Sequence, residues 1–191
     1  MAEESSGRLL GVKLGFIGAG SMGGALIRGL VQGGWVAREN LIFYDPDPNR
    51  LAEMETLGVE PALDNPEVMH AQVVVLAVKP QVVGAALGEI KEFARSWHLI
   101  ISIAAGVPLG ALEAAFPESR VIRAMPNTPA LVGAGMTALS PGSRATQPPC
   151  TSPRIKAPPM LPAPMKPSFT PNNRPLFLSA IDICSFPVQN H

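Results

Sequence analysis

Three glycines near the start of the chain lie between a short apolar run and a segment with helical apolar spacing. The run covers residues 12–17, Gly18, Gly20 and Gly23 follow in G-x-G-x-x-G spacing, and the helical pattern covers residues 21–33. A short apolar run of this kind is typical of a strand buried on both faces of a parallel sheet. The chain is therefore predicted to pass from a buried strand through a tight turn into a helix.

Each glycine is predicted to meet a different steric requirement of that turn. Gly18 permits the tight turn out of the strand, and Gly23 lets the helix pack closely against the strand. Gly20 lacks a Cβ atom, so a pyrophosphate can approach the backbone there, where free N–H groups and the positive end of the helix dipole favour an anion. With a strand before it and a helix after it, the motif favours dinucleotide binding over a plain glycine-rich turn.

The composition fits a buried α/β sheet, with 47% apolar and 16% charged residues among 191. No apolar run reaches the ~18 residues that a membrane span requires. Residues 1–10 are acidic and lack the apolar segment of a secretory signal, so we expect a flexible N-terminus and a cytoplasmic protein that does not engage a membrane. Residues 1–140 carry a net charge of −4 and residues 141–191 one of +4, and the acidic part gives no support for nucleic-acid binding. Cys150 and Cys184 form no cluster with metal-ligand spacing, so no metal site is predicted.

Strands and helices are predicted to alternate over about 140 residues, which indicates a doubly wound, mostly parallel sheet. Asn49 is a plausible N-cap for the helix after the second strand. Further strands are predicted over residues 41–44, 72–78, 99–103 and 120–125, with shorter ones at 59–63 and 136–139, and further helices over 64–69, after Pro80 and over 108–116.

Ligands of such sheets bind beyond the carboxyl ends of the strands, which selects the loops at residues 18–23, 45–50, 78–81, 104–107 and 126–132. Asp45 lies 22 residues after Gly23 at a strand end, where a carboxylate accepts both ribose hydroxyls and favours NAD over NADP. Arg50 is close enough in sequence to offset that charge and bind a 2′-phosphate, so the choice between NAD and NADP stays open. The alternative for Asp45 is a solvated turn carboxylate.

The remaining loops offer weaker signals for the same groove. Lys79 ends an apolar strand and is predicted to lie in the cofactor groove or on the surface. The small residues Ala104, Ala105 and Gly106 offer a flat backbone surface to a nicotinamide or ribose, and Asn127 could orient the nicotinamide carboxamide or serve only an Asx-turn. The three histidines lack carboxylate partners at relay spacing and are interpreted as structural, and Ser21 and Ser102 lack a base. No catalytic residue is therefore assigned.

Four segments, GFIGAGSMGGAL, LAVKPQ, SIAAGVPL and RVIRAMPNTPALVGAGMTAL, resemble the N-terminal domain of pyrroline-5-carboxylate reductases over residues 11–140. The resemblance implies a Rossmann-like fold that binds NADP or NAD. Asp45 replaces a small hydroxyl residue common in that family, which argues against a strict NADPH preference. The implied cofactor-binding residues are Ile17, Gly18, Ala19, Gly20, Ser21, Met22, Gly23, Asn65, Ala77, Val78, Lys79, Pro80, Ala104, Ala105 and Gly106.

The resemblance also implies an activity, hydride transfer from the nicotinamide to the C=N bond of 1-pyrroline-5-carboxylate in the last step of proline synthesis. In the family a helical C-terminal domain binds the substrate carboxylate and forms the homo-oligomer. Here residues 141–191 contain 12 prolines among 51 residues, which predicts an irregular, proline-rich tail in place of that domain. Two alternatives therefore stay open, a dinucleotide-binding chain without catalysis and a relative of the hydroxyacid dehydrogenases.

Overall fold

The computed structural model describes residues 11–127 and 137–146, which form a single seven-stranded sheet flanked by helices. The predicted flexible N-terminus at residues 1–10 and the proline-rich tail from residue 147 onward lie outside the described residues. The strands are β1 (Leu14–Ile17), β2 (Leu41–Tyr44), β3 (Glu60–Pro61), β4 (Val73–Leu76), β5 (Leu99–Ser102), β6 (Arg120–Pro126) and β7 (Thr137–Pro141). The helices are α1 (Ser21–Gln32), α2 (Pro48–Glu55), α3 (Asn65–Val68), α4 (Pro80–Ile90) and α5 (Leu109–Ala115), with 3₁₀ turns at Arg38–Asn40 and Lys91–Phe93.

The strand order is β3-β2-β1-β4-β5-β6-β7, and β1 to β6 are parallel. The order reverses beside β1, where Ile17 is level with Tyr44 of β2 on one side and with Leu76 of β4 on the other. This arrangement confirms the predicted doubly wound sheet, and its reversal point is where such folds place their ligands. Only β7 runs antiparallel, paired with β6.

The central strands are buried on both faces. All four residues of β1, β4 and β5 are buried, and their side chains alternate between two hydrophobic clusters. Val75 and Ile101 lie in one cluster, whereas Val74 and Ile100 lie in the other. Because successive side chains of a strand point to opposite faces, a strand with helices on both sides needs an unbroken apolar sequence.

The glycine turn between β1 and α1 is as tight as its sequence predicts. Gly18 has a φ of +95°, and a Cβ atom there would lie 2.9 Å from the backbone of Ala77. A Cβ atom on Gly23 would lie 2.3 Å from the Gly18 carbonyl oxygen, closer than any real contact. These two positions therefore exclude any side chain, which confirms the predicted tight turn and close helix packing.

The start of α2 differs from its prediction. Asp47, not Asn49, is the N-cap, and its carboxylate accepts a 3.0 Å hydrogen bond from the Asn49 backbone N–H. Pro48 takes the first helical position, where its missing N–H has no consequence. The prediction at Asn49 was wrong because the Asp47-Pro48 pair places the cap two residues earlier. Strand β4 is also shorter than the predicted run, since residues 77 and 78 already belong to the following loop.

Chain packing continues past residue 140, the predicted end of the domain. Strand β7 includes Pro141, and the Gly142 N–H donates a 2.8 Å hydrogen bond to the Val121 carbonyl. Ser143 donates to Glu113 on α5 through its N–H and its hydroxyl, which lowers the pKa of the Glu113 carboxyl. Residues 142 and 143 thus pack against β6 and α5.

His98 is fully buried beneath the amino end of β5, which agrees with its structural interpretation. Its Nδ1 accepts a hydrogen bond from the Arg95 N–H, so Nε2 carries the proton and donates to the Met69 carbonyl, both at 2.8 Å. Burial lowers the pKa of His98, which keeps the ring neutral. His70 is exposed, and His191 lies outside the described residues.

We expect Gly23→Ala and Gly29→Ala to have opposite effects although both lie in α1. A methyl group at Gly23 would collide with the turn, which costs about 1–3 kcal/mol of stability. Gly29 is exposed with no atom within 4 Å of a new Cβ, so alanine there should stabilise the helix by about 0.5–1 kcal/mol. Urea unfolding measures both values, and equal effects would contradict the close helix–strand contact.

His98 should make the free energy of unfolding depend on pH. The unfolded chain takes up a proton as the pH falls through about 6.5, whereas the folded chain resists it because the pKa of His98 is lowered. The free energy of unfolding should be constant above that pH as far as His98 is concerned. Below it, the free energy of unfolding should fall by at most about 1.4 kcal/mol per pH unit. Thermal unfolding between pH 5.5 and 7.5 should show this slope in the natural chain and in His70→Gln. If the slope persists in His98→Gln, the pH dependence of stability comes from another group.

Candidate functional site

The loops at the carboxyl ends of the strands form one continuous edge. The Gly18 N–H donates to the Tyr44 carbonyl at 2.8 Å, which joins the loop after β1 to β2. The Ala77 N–H donates to the Ile17 carbonyl at 2.8 Å, which joins β1 to the loop after β4. The predicted residues Ile17, Gly18 and Ala77 are therefore in direct contact, and a ligand at this edge would meet several loops at once.

The first turn of α1 faces this edge without a side-chain cap. Gly20 is the N-cap with extended backbone, and neither a side-chain hydrogen bond nor an acidic residue occupies the first turn. A Cβ atom built on Gly20 would have no atom within 4 Å, in contrast with those on Gly18 and Gly23. Ser21 is exposed and Met22 half-buried. Open backbone at an uncapped helix N-terminus is the arrangement that accommodates phosphate groups.

Asp45 is tied to the glycine turn by its carboxylate. Oδ2 accepts a 2.7 Å hydrogen bond from the Ala19 N–H, and Oδ1 accepts one of 3.0 Å from the Asp47 N–H. The side chain is half-buried at the tip of β2. Asp45 is thus not only a solvated turn carboxylate, because it holds the loops after β1 and β2 in one arrangement.

Asn65, the first residue of α3, presents a buried acceptor. Its amide Nδ2 donates to Glu89 Oε2 of α4 at 2.7 Å, which fixes the orientation of the amide plane. Its Oδ1 is buried and has no hydrogen-bond partner within the part of the chain that the structure describes. A buried oxygen without a donor costs about 1–3 kcal/mol, so this atom fits a ligand that brings a donor.

The other predicted residues line the same edge with little side-chain bulk. Lys79 is the exposed N-cap of α4 and is followed by exposed Pro80, while Val78 is half-buried against Gly18. After β5, Ala104 is buried, whereas Ala105 and Gly106 are exposed. Asn127 is exposed at the end of β6, two strands from the reversal point of the sheet.

Comparison with known proteins adds to this geometry. Residues 13–106 match the family model described as NADP oxidoreductase coenzyme F420-dependent. The chain is 42% identical to the pyrroline-5-carboxylate reductase of Escherichia coli over 137 residues, which are 70% of this chain and 51% of that protein. Over the matched residues, the chain is similar to the pyrroline-5-carboxylate reductases.

Two solved reductases share the fold of this domain. A pyrroline-5-carboxylate reductase from Coxiella burnetii superposes with a TM-score of 0.66 at 33% identity, over 70% of this chain and 50% of that one. A Plasmodium falciparum pyrroline carboxylate reductase, solved with NADP bound, superposes with a TM-score of 0.62 at 36% identity. The match covers 70% of this chain and 49% of that one. The chain spans about half the length of the reductases that it matches.

One feature beside the candidate site could not be inferred from spacing. Glu53 of α2 accepts from Arg50 at 3.0 Å through Oε2 and is also paired with Arg28 of α1 through Oε1. The guanidinium of Arg50, which the sequence offers as a ligand for a 2′-phosphate, is paired with this carboxylate. Arg50 and Glu53 are three positions apart on one helix, and this spacing could have indicated their ion pair. Arg28 and Glu53 are 25 positions apart, and nothing in the sequence indicates that they pair.

The described residues contain no group of three or more His, Cys, Asp and Glu side chains arranged to hold a metal ion. Within the same residues, no helix has both the length and the apolar character needed to cross a membrane.

Proposed function

We propose that this chain binds a nicotinamide dinucleotide with its pyrophosphate over the glycine turn between β1 and α1. The contrast among the three glycines carries the proposal: Gly18 and Gly23 are closed by neighbouring atoms, whereas Gly20 faces open space. A turn built only for helix packing has no need of a third glycine whose Cβ would touch nothing. Ile17, Ala19, Ser21 and Met22 complete the proposed pyrophosphate site.

The rest of the proposed groove follows the edge of the sheet on both sides of that turn. Asn65 offers its buried Oδ1 to a hydroxyl or amine of the bound nucleotide. The backbone after β4 and β5 would support the nicotinamide half, and Asn127 would meet the carboxamide. The residues assigned there are Ala77, Val78, Lys79, Pro80, Ala104, Ala105 and Gly106.

We further propose a preference for NADH over NADPH. The Asp45 carboxylate is held at the tip of β2 by two backbone N–H groups, and it retains lone pairs that can accept ribose hydroxyls. A 2′-phosphate in the same place would bring like charges together. The Plasmodium reductase, solved with NADP bound, shares the fold, so a preference for NADH in this chain would come from side chains such as Asp45.

The proposed reaction is reduction of the C=N bond of 1-pyrroline-5-carboxylate to L-proline, the activity named for the relatives. The bound cofactor supplies the hydride. The backbone after β4 and β5, together with Asn127, would hold the nicotinamide half of the cofactor. The protonated imine already carries its proton, so this domain needs no general acid. Both ring nitrogens of His98 are hydrogen-bonded to the backbone, one to Arg95 and one to Met69. A cytoplasmic location stays a prediction.

Gly20→Val should abolish dinucleotide binding without unfolding the protein. A Cβ atom at this position would have no protein atom within 4 Å, but the side chain would occupy the space through which a pyrophosphate reaches the backbone. Calorimetric titration with NADH should show at least a hundredfold loss of affinity, while the thermal midpoint stays within a few degrees. Gly29→Val, at the far end of the same helix, is the control. Unchanged affinity in Gly20→Val would place the pyrophosphate elsewhere.

Steady-state oxidation of NADH and NADPH with 1-pyrroline-5-carboxylate tests the activity of this chain. Turnover near that of a full-length reductase establishes catalysis by the chain as it stands. Dinucleotide binding without turnover supports the alternative of a binding protein, and oxidation of 2- or 3-hydroxy acids with NAD supports the hydroxyacid dehydrogenase alternative.

A further inference from the structure

Two arginines border the corner of the site where Asp45 lies. Arg50 is in the first turn of α2, directly after the loop that starts at Asp45. Arg28 reaches back along α1 toward the glycine turn. The point where a Cβ of Gly24 would lie is 3.5 Å from Arg28 Nη1 and 3.0 Å from the Ala19 carbonyl oxygen. Since the Ala19 N–H holds Asp45, both guanidinium groups lie near the proposed ribose position.

Both guanidinium groups are occupied by one carboxylate. Glu53 pairs with Arg28 through Oε1 and with Arg50 through Oε2, so each oxygen serves one arginine. The three side chains are 35%, 40% and 41% exposed for Arg28, Arg50 and Glu53. Ion pairs this exposed add little to stability, so the bridge between α1 and α2 is poorly explained by stability alone.

The bridge has a direct consequence for the ligand at the corner. A 2′-phosphate is bound most strongly by guanidinium groups that present paired N–H donors to it. Glu53 takes up the Nη1 donor of each arginine and cancels one of the two positive charges. A ribose hydroxyl carries no charge and needs only the acceptor that Asp45 offers, so the bridge disfavours a 2′-phosphate and leaves a 2′-hydroxyl unaffected.

We propose that Glu53 is a second determinant of cofactor specificity, which excludes 2′-phosphorylated dinucleotides by withholding Arg28 and Arg50. Asp45 repels the phosphate directly, and Glu53 removes the two groups that would attract it. This inference rests on the proposed dinucleotide site. According to this inference, selectivity against NADPH requires the carboxylates of both Asp45 and Glu53.

Glu53→Gln tests the inference through the ratio of two dissociation constants. The change keeps the size of the side chain but removes its charge, so both arginines become available to a phosphate. Titration calorimetry should show NADPH binding roughly three- to tenfold tighter and NADH affinity unchanged. The probe 2′,5′-ADP, which lacks the nicotinamide, should gain affinity by the same factor. Glu55 is an exposed neighbour on α2, and Glu55→Gln is the matched control. It should leave the affinities for NADPH, NADH and 2′,5′-ADP unchanged.

Further variants separate this role from a structural one. In Glu53→Gln/Arg28→Ala/Arg50→Ala the gain for NADPH should disappear, and in Asp45→Ser/Glu53→Gln it should exceed that of either single variant. Circular dichroism should show that each variant keeps its fold. NADH binding with an unchanged NADPH ratio in Glu53→Gln overturns the inference alone. Failure of the natural chain to bind either dinucleotide overturns the proposed function and this inference with it.

Discussion

The contact between α1 and the end of β4 is the constraint on which the rest of the site depends. Gly23 lies so close to the Gly18 carbonyl, and Gly18 so close to Ala77, that neither glycine leaves room for a single methyl group. This contact brings the start of α1 to the reversal point of the sheet, beside the loops after β2 and β4. If the helix stood further out, its uncapped N-terminus would not face the loops that surround the proposed ligand.

Around that contact, the same two carboxylates hold the structure together and, in the proposed site, would also determine cofactor selectivity. Asp45 fixes the glycine turn through the Ala19 N–H and also presents the acceptor that a ribose requires. Glu53 joins α1 to α2 and at the same time occupies the two arginines near that acceptor. The side of the site proposed for the adenosine is therefore defined by charge, whereas the side proposed for the nicotinamide is defined by backbone and small side chains.

The sequence predicted those features that depend on local spacing. Glycines 18 and 23, the unbroken apolar strands and the strand–helix alternation follow from sterics and from burial on two faces, so they could be inferred from neighbouring residues. Features that depend on contacts between distant parts of the chain could not be inferred in this way. The Arg28–Glu53 pair, the antiparallel direction of β7 and the burial of Ala145 need the folded chain. The cap at Asp47 was missed because Asp47 and Asn49 could both serve, and Pro48 between them decided.

The hydrogen bond from Ala19 to Asp45 means that the turn is already in place before any nucleotide arrives. Little backbone entropy is then lost during encounter, because no loop has to be ordered. Residues 1–140 carry a net charge of −4 and residues 141–191 one of +4, so the chain as a whole would neither attract nor repel an anion at long range. The speed of association would then depend little on dissolved salt.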